Sequence, residues 1–195
     1  MSGARALVLA SGSPRRREIL GQLGISFEVV PSEVVEPARG DETPAHYAQR
    51  LARLKARDVA THVPGGSLVL GADTVVVVDD DVLGKPADAA DARAMIARLA
   101  GRAHDVITGV SVIAADGVDE TIHETTRVWF RALDAQAQAR YADSGEGADK
   151  AGGYAIQGLG AGLVTRIEGS YSNVVGLPAA QVVELLARVG SVRWP

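Results

Sequence analysis

The sequence predicts an α/β protein in which helices flank a mixed β-sheet. Short apolar runs such as 7–10 and 106–114 are typical of buried strands, because they are too short for helices and are bounded by turn residues. Other segments carry apolar residues at helical spacing, and two of them open with a capping residue followed by proline, at Ser13-Pro14 and Thr43-Pro44. Strands that alternate with helices favour a sheet covered by helices.

The remaining elements follow from the same patterns. The segment 68–78 is predicted as a strand or a bent hairpin arm, interrupted at Gly71-Ala-Asp-Thr74, because glycine and aspartate are disfavoured inside strands. Three aspartates at 79–81 then form a turn. The other predicted strands are 25–30, 126–133 and 163–167. The predicted helices are 14–23, a helix that begins at Thr43-Pro44 and ends at 64–66, 88–99, 134–141 and 178–189.

Composition excludes several classes of protein. At 195 residues the chain is long enough for one large lobe or two small ones around a core. No apolar run approaches the ~20 residues of a membrane-spanning helix, and the apolar stretch at 6–10 is too short for a secretory signal. Cysteine is absent, so we expect no thiol chemistry and a cytoplasmic location. A net charge of −4 and few aromatic residues argue against nucleic-acid binding.

The segment 11–16 is predicted to bind phosphate. Ser11-Gly-Ser13 forms a turn after the first strand, and Pro14 begins a helix whose first turn carries Arg15 and Arg16. A helix N-terminus exposes unpaired N–H groups and partial positive charge, so arginines there are unfavourable unless an anion is bound. Backbone amides, serine hydroxyls and two guanidinium groups together suit a polyphosphate. A capped helix with solvated arginines is the alternative.

Asp73 and Glu36 are candidate acid–base or metal-binding carboxylates. Asp73 interrupts an apolar run, and burial there raises the pKa of a carboxyl unless a cation lies nearby. It is either a structural aspartate satisfied by backbone amides, or a metal ligand or general base. Glu36 lies in an acidic loop, with Glu33 as a competitor. Mg²⁺ binds one or two carboxylates together with substrate phosphates and water, a set to which Glu36 and Asp73 would contribute.

Lysine and glutamine supply the remaining candidates. The chain has 17 arginines but only three lysines, Lys55, Lys85 and Lys150, so each is weighed singly against a chance surface position. Lys85 lies in the loop Gly84-Lys-Pro86, which is not a P-loop because proline follows the lysine. Near the carboxylates it would contact a phosphate. Gln157 follows glycines that allow close backbone approach, and its amide can read a base edge.

Six motifs, in their order along the chain, resemble the Maf family of nucleotide pyrophosphatases. The resemblance extends from Leu7 to about Leu186. The matching segments are Ser11-Gly-Ser-Pro-Arg-Arg16, Gly71-Ala-Asp-Thr74, Gly84-Lys-Pro86, His104…Thr108-Gly109, Asp149-Lys-Ala-Gly…Ile-Gln-Gly158 and Ser170-Tyr…Val-Gly-Leu-Pro178. Each motif alone is modest, but six in order are specific.

The resemblance implies a fold and an activity. The implied fold is an elongated mixed sheet flanked by helices, with two lobes and a central cleft, related to inosine triphosphatases, as one domain over residues 1–195. The implied activity is hydrolysis of a nucleoside triphosphate to the monophosphate and pyrophosphate with a divalent cation, Mg²⁺ or Mn²⁺. We expect neither nucleic acid nor membrane as a partner, and a homodimer is compatible with the family.

The resemblance also implies roles for single residues. Asp73 matches the catalytic carboxylate, and together with Glu36 it would bind the metal. The positions linked to substrate choice are Arg15, Thr74 and Gln157. The remaining substrate-binding positions are Ser11, Ser13, Arg16, Lys55 and Lys85. Val35 stands where relatives often have an acid beside Glu36, which leaves open the carboxylate that completes the metal shell.

Substrate choice has one implied answer and several alternatives. The form Tyr154-Ala-Ile-Gln157 resembles the subgroup that acts on dTTP and UTP, with modified pyrimidine nucleotides as further substrates, in a house-cleaning role. The subgroup for 7-methylguanosine triphosphate differs there and is the first alternative. A non-enzymatic, nucleotide-binding regulator of cell division and a nucleotide-transfer enzyme are the others. Hydrolysis would use two acids, Glu36 and Asp73, beside a basic cluster. A non-enzymatic regulator that only binds nucleotide would not need these acids.

Overall fold

A computed structural model describes residues 5–190, and the predicted domain of residues 1–195 extends beyond them at both ends. The strands are β1 (Leu7–Leu9), β2 (Glu28–Val29), β3 (Leu68–Val78), β4 (Asp81–Leu83), β5 (Ala103–Ile113), β6 (Asp119–Phe130) and β7 (Val164–Glu168). The helices are α1 (Pro14–Gln22), α2 (Pro44–Ala60), α3 (Ala89–Leu99), α4 (Ala135–Asp143), α5 (Tyr171–Val175) and α6 (Ala179–Arg188). Two 3₁₀ turns lie at Ala151–Gly153 and Gly158–Gly162.

The strands form one mixed sheet, which confirms the predicted fold class. Their order is β2-β1-β3-β5-β6-β7, and β4 pairs with β3 outside this path. β1 is parallel to both β2 and β3, whereas β4 pairs antiparallel with β3 and β7 pairs antiparallel with β6. The tight β3–β4 turn consists of Asp79 and Asp80, which adopt positive φ, whereas Asp81, also predicted in the turn, begins β4. Within residues 5–190 no helix combines the length and apolarity needed to cross a bilayer.

The chain divides into two compact units, each with its own core. Among the described residues, unit 1 comprises residues 5–73, 108–124 and 176–190, and unit 2 comprises residues 74–107 and 125–175. In unit 1, side chains of β1 and β3 pack against α2, for example Val8 and Val69 against Val59. In unit 2, α3 buries Ile96 and Leu99 as its spacing predicts. The division agrees with the expected two lobes, and the cleft stays a prediction.

Helix α2 approaches the sheet most closely where its alanines face glycines of β3 and β5. A Cβ at Gly71 would lie 2.3 Å from the carbonyl oxygen of Ala52, and one at Gly109 would lie 2.4 Å from that of Ala48. Helical spacing predicts an apolar stripe on α2 made of Tyr47, Leu51, Leu54 and Val59. This prediction is partly correct, because Leu51 and Val59 are buried, whereas Tyr47 and Leu54 are half-buried. The close approach of two backbones brings the next turn of α2 directly over β3.

Three predictions about elements need correction. β3 runs without interruption from Leu68 to Val78, although Gly71-Ala-Asp-Thr74 was expected to break it. The strand predicted at 25–30 is reduced to Glu28–Val29. Helix α5 was not predicted, because five residues are too few to show a helical period.

Candidate active site

The turn before α1 fixes an arginine next to an open helix N-terminus. The buried hydroxyl of Ser11 accepts hydrogen bonds from the backbone N–H of Ser13 and from Arg16 Nη1, both at 3.2 Å. Arg16 Nε donates to the carbonyl oxygen of Gly176 at 2.8 Å. The helix begins at Pro14 as predicted, with Ser13 as the N-cap, but the Ser13 side chain makes no capping hydrogen bond. The Ser13 hydroxyl therefore does not compete with an anion for the first-turn amides.

Asp73 lies in the middle of β3 and is nearly fully buried, at 7% exposure. It shares a face of β3 with Gly71, two residues earlier, because alternate residues of a strand point the same way. Since Gly71 admits the backbone of α2, Lys55 reaches across and donates a 2.6 Å hydrogen bond to Asp73 Oδ1. Asp73 is therefore placed by tight helix–sheet packing, not by the strand end or bulge that the sequence suggested.

Lys55 also binds the acidic loop before α2. Its Nζ lies 2.7 Å from Glu36 Oε1, so one ammonium joins the carboxylates of Glu36 and Asp73. Glu33, the competitor at the sequence level, is exposed, and its backbone N–H donates to Asp58. Of the two loop acids, Glu36 is the one paired with Lys55.

Charge and burial act against each other in this group. Burial raises the pKa of Asp73, and the charge and hydrogen bond of Lys55 together with the charge of Arg16 partly counteract this rise. Burial lowers the pKa of Arg16, while Asp73 and Glu36 oppose that change. The basic end of α1 and the acidic pair thus act on one another electrostatically within unit 1. The positive charge of the neighbouring Arg15 also lowers the pKa of Arg16.

The same residues suit a divalent cation that shares its shell with substrate. No group of three or more His, Cys, Asp or Glu residues positioned to hold a metal occurs within residues 5–190. The carboxylates of Glu36 and Asp73 nevertheless converge on one positive charge. Two carboxylates are the usual protein share for Mg²⁺ when phosphate oxygens and water complete the coordination.

The other predicted site residues belong to unit 2. Thr74 follows Asp73 in β3 and is half-buried, Lys85 is exposed between β4 and α3, and Gln157 is half-buried between the two 3₁₀ turns. Their assembly with Asp73 around one substrate stays a prediction. Lys150, by contrast, ties its own loop together, because its Nζ donates to the carbonyl oxygen of Glu146 at 2.6 Å.

One aromatic residue near the acidic pair was missed as a site candidate. Tyr47 lies eight residues before Lys55 on α2, and this spacing places both on the same side of the helix. Burial raises the pKa of Tyr47, and the charges of Asp73 and Glu36 raise it further. The signal was present in the sequence, but the residue was assigned to the apolar stripe.

Fold and site together define an α/β protein with a buried carboxylate–lysine pair beside an arginine-bearing helix N-terminus, an arrangement typical of proteins that act on anionic substrates. The chain belongs to the family of Maf-like proteins, whose family model matches residues 6–189.

Curated relatives are similar over almost their whole length. A dTTP/UTP pyrophosphatase of Vibrio cholerae is 52% identical over 180 residues, which cover 92% of this chain and 96% of the relative. A dTTP/UTP pyrophosphatase of Myxococcus xanthus is 53% identical over 184 residues, covering 94% and 92%. Among solved structures, the Staphylococcus aureus Ham1 protein matches with a TM-score of 0.48 and 15% identity, covering 80% of this chain and 78% of that one.

Proposed function

We propose that this protein hydrolyses dTTP and UTP to the monophosphate and pyrophosphate. The observation that carries the proposal is the buried Asp73, held by Lys55 at 2.6 Å within reach of the charge of Arg16. Relatives at about half identity over most of their length carry the name of this activity. Modified pyrimidine nucleotides are further candidate substrates in the same house-cleaning role.

The chemistry divides between holding phosphate and activating water. Arg15, Arg16 and the N-terminal amides of α1 hold the phosphate chain, with Ser11 and Ser13 at the turn and Lys85 as a further cation. Asp73 accepts a proton from a water molecule whose oxygen attacks the α-phosphorus. The bond from that phosphorus to the bridging oxygen breaks, and pyrophosphate leaves. Phosphoryl transfer of this kind depends mostly on positioning and on charge stabilisation.

Asp73 is suited to this role because it is buried yet held by cations. A buried carboxyl with a raised pKa is a stronger base than an exposed one, and the charge and hydrogen bond of Lys55 oppose the effect of burial by favouring the ionised form. Glu36 and Asp73 would hold a divalent cation, Mg²⁺ or Mn²⁺, which when bound would neutralise phosphate charge. Thr74 and Gln157 would select the pyrimidine.

Substitution of Asp73 tests the assignment. We expect Asp73→Asn to lower the rate of pyrophosphate release from dTTP at least ~10²-fold, the usual contribution of a general base. Asp116→Asn is the matched control, because Asp116 is an exposed acid of the same unit, ion-paired with Arg5. A loss of only a few-fold in Asp73→Asn removes Asp73 from the catalytic role.

A panel of nucleotides tests the substrate class. Purified protein with a divalent cation is given standard and modified triphosphates in turn, and released pyrophosphate is measured. We expect dTTP and UTP to be the best standard substrates. Preference for 7-methylguanosine triphosphate assigns the chain to the other subgroup, and binding without turnover indicates a regulator. Two further expectations are a cytoplasmic location, which rests on composition, and a homodimer, which rests on the resemblance. Light scattering tests the second.

A further inference from the structure

The loop that carries Gln157 is closed upon itself. The backbone turns at Gly158, which has φ +65°, and a Cβ at Gly160 would lie only 1.9 Å from the carbonyl oxygen of Ala155. The two ends of the loop 155–160 are therefore in contact, and Gln157 lies between them. Glycine loses more conformational freedom on ordering than any other residue, so such a loop needs specific contacts to hold one conformation.

A single carboxylate provides these contacts on one end of the loop. Glu146 Oε1 accepts a 2.7 Å hydrogen bond from the N–H of Leu159, and Oε2 accepts one of 2.8 Å from the N–H of Gly160. A Cβ at Gly158 would lie 2.1 Å from Oε1, so glycine there is what admits the carboxylate. Hydrogen bonds to an ionised acceptor are about twice as strong as neutral ones.

A tyrosine extends the contacts to the other end. The Tyr141 hydroxyl donates to Glu146 Oε2 at 2.9 Å and accepts a 3.1 Å hydrogen bond from the N–H of Ala155. Burial acts to raise the pKa of Glu146, but the hydrogen bonds from Leu159, Gly160 and Tyr141 outweigh it and lower the pKa, so the carboxylate is charged at neutral pH. Glu146 and Tyr141 thus bind the chain on both sides of Gln157.

We propose that Glu146 and Tyr141 are positioning residues for nucleotide selection, which hold the loop 155–160 so that the Gln157 amide faces the base in one orientation. This inference rests on the proposed function, in which Gln157 reads the pyrimidine. Neither residue contacts substrate in this account, and both act through Gln157. Loss of either lets the loop adopt several conformations, which weakens base recognition while leaving the reacting centre intact.

The expected kinetic signature is specific. In Glu146→Gln the new amide NH₂ cannot accept a hydrogen bond, so at least one backbone N–H loses its partner while the side-chain volume is kept. We expect the KM for dTTP to rise about tenfold with kcat nearly unchanged, because base recognition contributes equally to ground and transition states. The ratio of kcat/KM for dTTP to that for dGTP falls accordingly.

The experiment compares Glu146→Gln, Tyr141→Phe, Gln157→Ala and the double variant Glu146→Gln/Gln157→Ala. Asp134→Asn is the matched control, because that carboxylate also accepts a backbone hydrogen bond, from Ala137 at 2.7 Å, at the start of the helix that carries Tyr141. We expect the first three variants to lower the ratio of kcat/KM for dTTP to kcat/KM for dGTP. The control variant should leave this ratio unchanged. The double variant should lower this ratio of kcat/KM values no further than Gln157→Ala does, because Glu146 acts through Gln157.

Failures of the two proposals are distinguishable. If the wild-type protein releases no pyrophosphate from any nucleotide, the proposed function fails and the positioning role falls with it. If the wild type and Gln157→Ala behave as proposed but Glu146→Gln lowers kcat for all nucleotides by one factor, only the positioning role is overturned. Should Glu146→Gln not fold, Tyr141→Phe decides, because it keeps the buried ring and removes only the hydroxyl.

Discussion

Lys55 shares its ammonium between two carboxylates and so controls the protonation of Asp73. Burial of Asp73 raises its pKa, whereas the charge and the hydrogen bond of Lys55 lower it. A general base must be deprotonated to act, so its pKa sets the acid limb of the pH–rate profile. The position of that limb therefore measures the Lys55–Asp73 contact in solution.

We expect Lys55→Gln to move the acid limb of kcat/KM for dTTP to higher pH. The substitution removes the charge that opposes burial, so the pKa of Asp73 rises further. Initial rates of pyrophosphate release across acid and neutral pH give the limb. Arg53→Gln is the control, because Arg53 lies on the same helix but pairs with Asp119 at 3.0 Å. An acid limb that stays in place in Lys55→Gln would contradict the role of Asp73 as the base.

His104 makes stability depend on pH. The ring is 2% exposed, its Nε2 lies 2.8 Å from the Tyr154 hydroxyl, and its Nδ1 has no hydrogen-bond partner within residues 5–190. Burial lowers the pKa of His104 from 6.5 to about 4. Between the unfolded pKa of 6.5 and the folded pKa of about 4, His104 is protonated in the unfolded chain but stays neutral in the folded protein. The free energy of unfolding therefore falls as pH drops from 6.5 toward 4.

We expect this group to remove about 2 kcal/mol of stability between neutral pH and about pH 5. Urea unfolding of the wild type and of His104→Gln at both pH values gives the comparison. Glutamine does not titrate, so the variant should lose less stability than the wild type over this interval, by about that amount. Equal losses in the two proteins would show that His104 is not the titrating group.

At the scale of elements, the packing of α2 on β3 builds the acidic centre. Alanines of α2 lie against the glycines of the sheet, and a Cβ at Gly71 would meet Ala52 O at 2.3 Å and Ala56 N at 2.7 Å. Both are backbone atoms and cannot rotate away, so the whole helix would have to shift. Lys55, beside Ala56, would shift with it and lose its geometry to Asp73.

We expect Gly71→Ala to cost about 1–3 kcal/mol of stability through overpacking and to lower kcat for dTTP. Thermal unfolding and pyrophosphate release measure the two effects. Gly21→Ala is the control, since a Cβ at that exposed position of α1 meets no atom within 4 Å, and alanine there should be neutral or stabilising by up to about 1 kcal/mol. Retention of full stability in Gly71→Ala would show that α2 can move without cost.

The same packing explains which elements could be predicted. Helix starts at Pro14 and Pro44 follow from proline at the first helical position, to which Thr43 adds a side-chain cap, and the structure has both starts. The continuity of β3 could not be predicted, because glycine and aspartate locally disfavour a strand and only contact with α2 and Lys55 makes them suitable. The stripe of α2 was only partly predicted for the same reason, since Leu51 and Val59 are buried as expected but alanines occupy the positions of closest approach to the sheet.

The site shows a similar division. Asp73 and Arg16 could be predicted because their charges have no good local explanation in a strand or in a first turn, whereas Lys55 was predicted from the resemblance to the Maf family. Glu146 could not be predicted as a site residue. Two of its partners are backbone N–H groups of the loop 155–160, and the pattern of side chains in a sequence does not show which backbone groups a carboxylate will bind. Only the flanking glycines at 145 and 147 hinted that the acid lies in an unusual loop.

At the scale of the whole molecule, the negative net charge of the protein repels an anionic substrate. The chain carries −4, so a nucleoside triphosphate is drawn by a local group of cations and not by the overall field. Arg15, Arg16 and Lys55 provide that local charge in unit 1. Binding should therefore stabilise the folded protein, and the gain should depend on one or two named cations.

A non-hydrolysable dTTP analogue, in which an imido group bridges the α- and β-phosphorus, separates binding from turnover. At a hundred times its dissociation constant the analogue should add about 2.7 kcal/mol of stability, which for a chain of this size raises Tm by roughly 5–10 °C. Asp73→Asn should keep most of this rise, because it retains Arg15, Arg16 and Lys55, the cations proposed to attract the phosphate chain. Arg16→Ala should lose most of it at the same analogue concentration, whereas Arg127→Ala, a surface partner of Asp105, should keep it. An equal rise in Arg16→Ala and in the wild type would mean that the phosphate chain does not bind at α1.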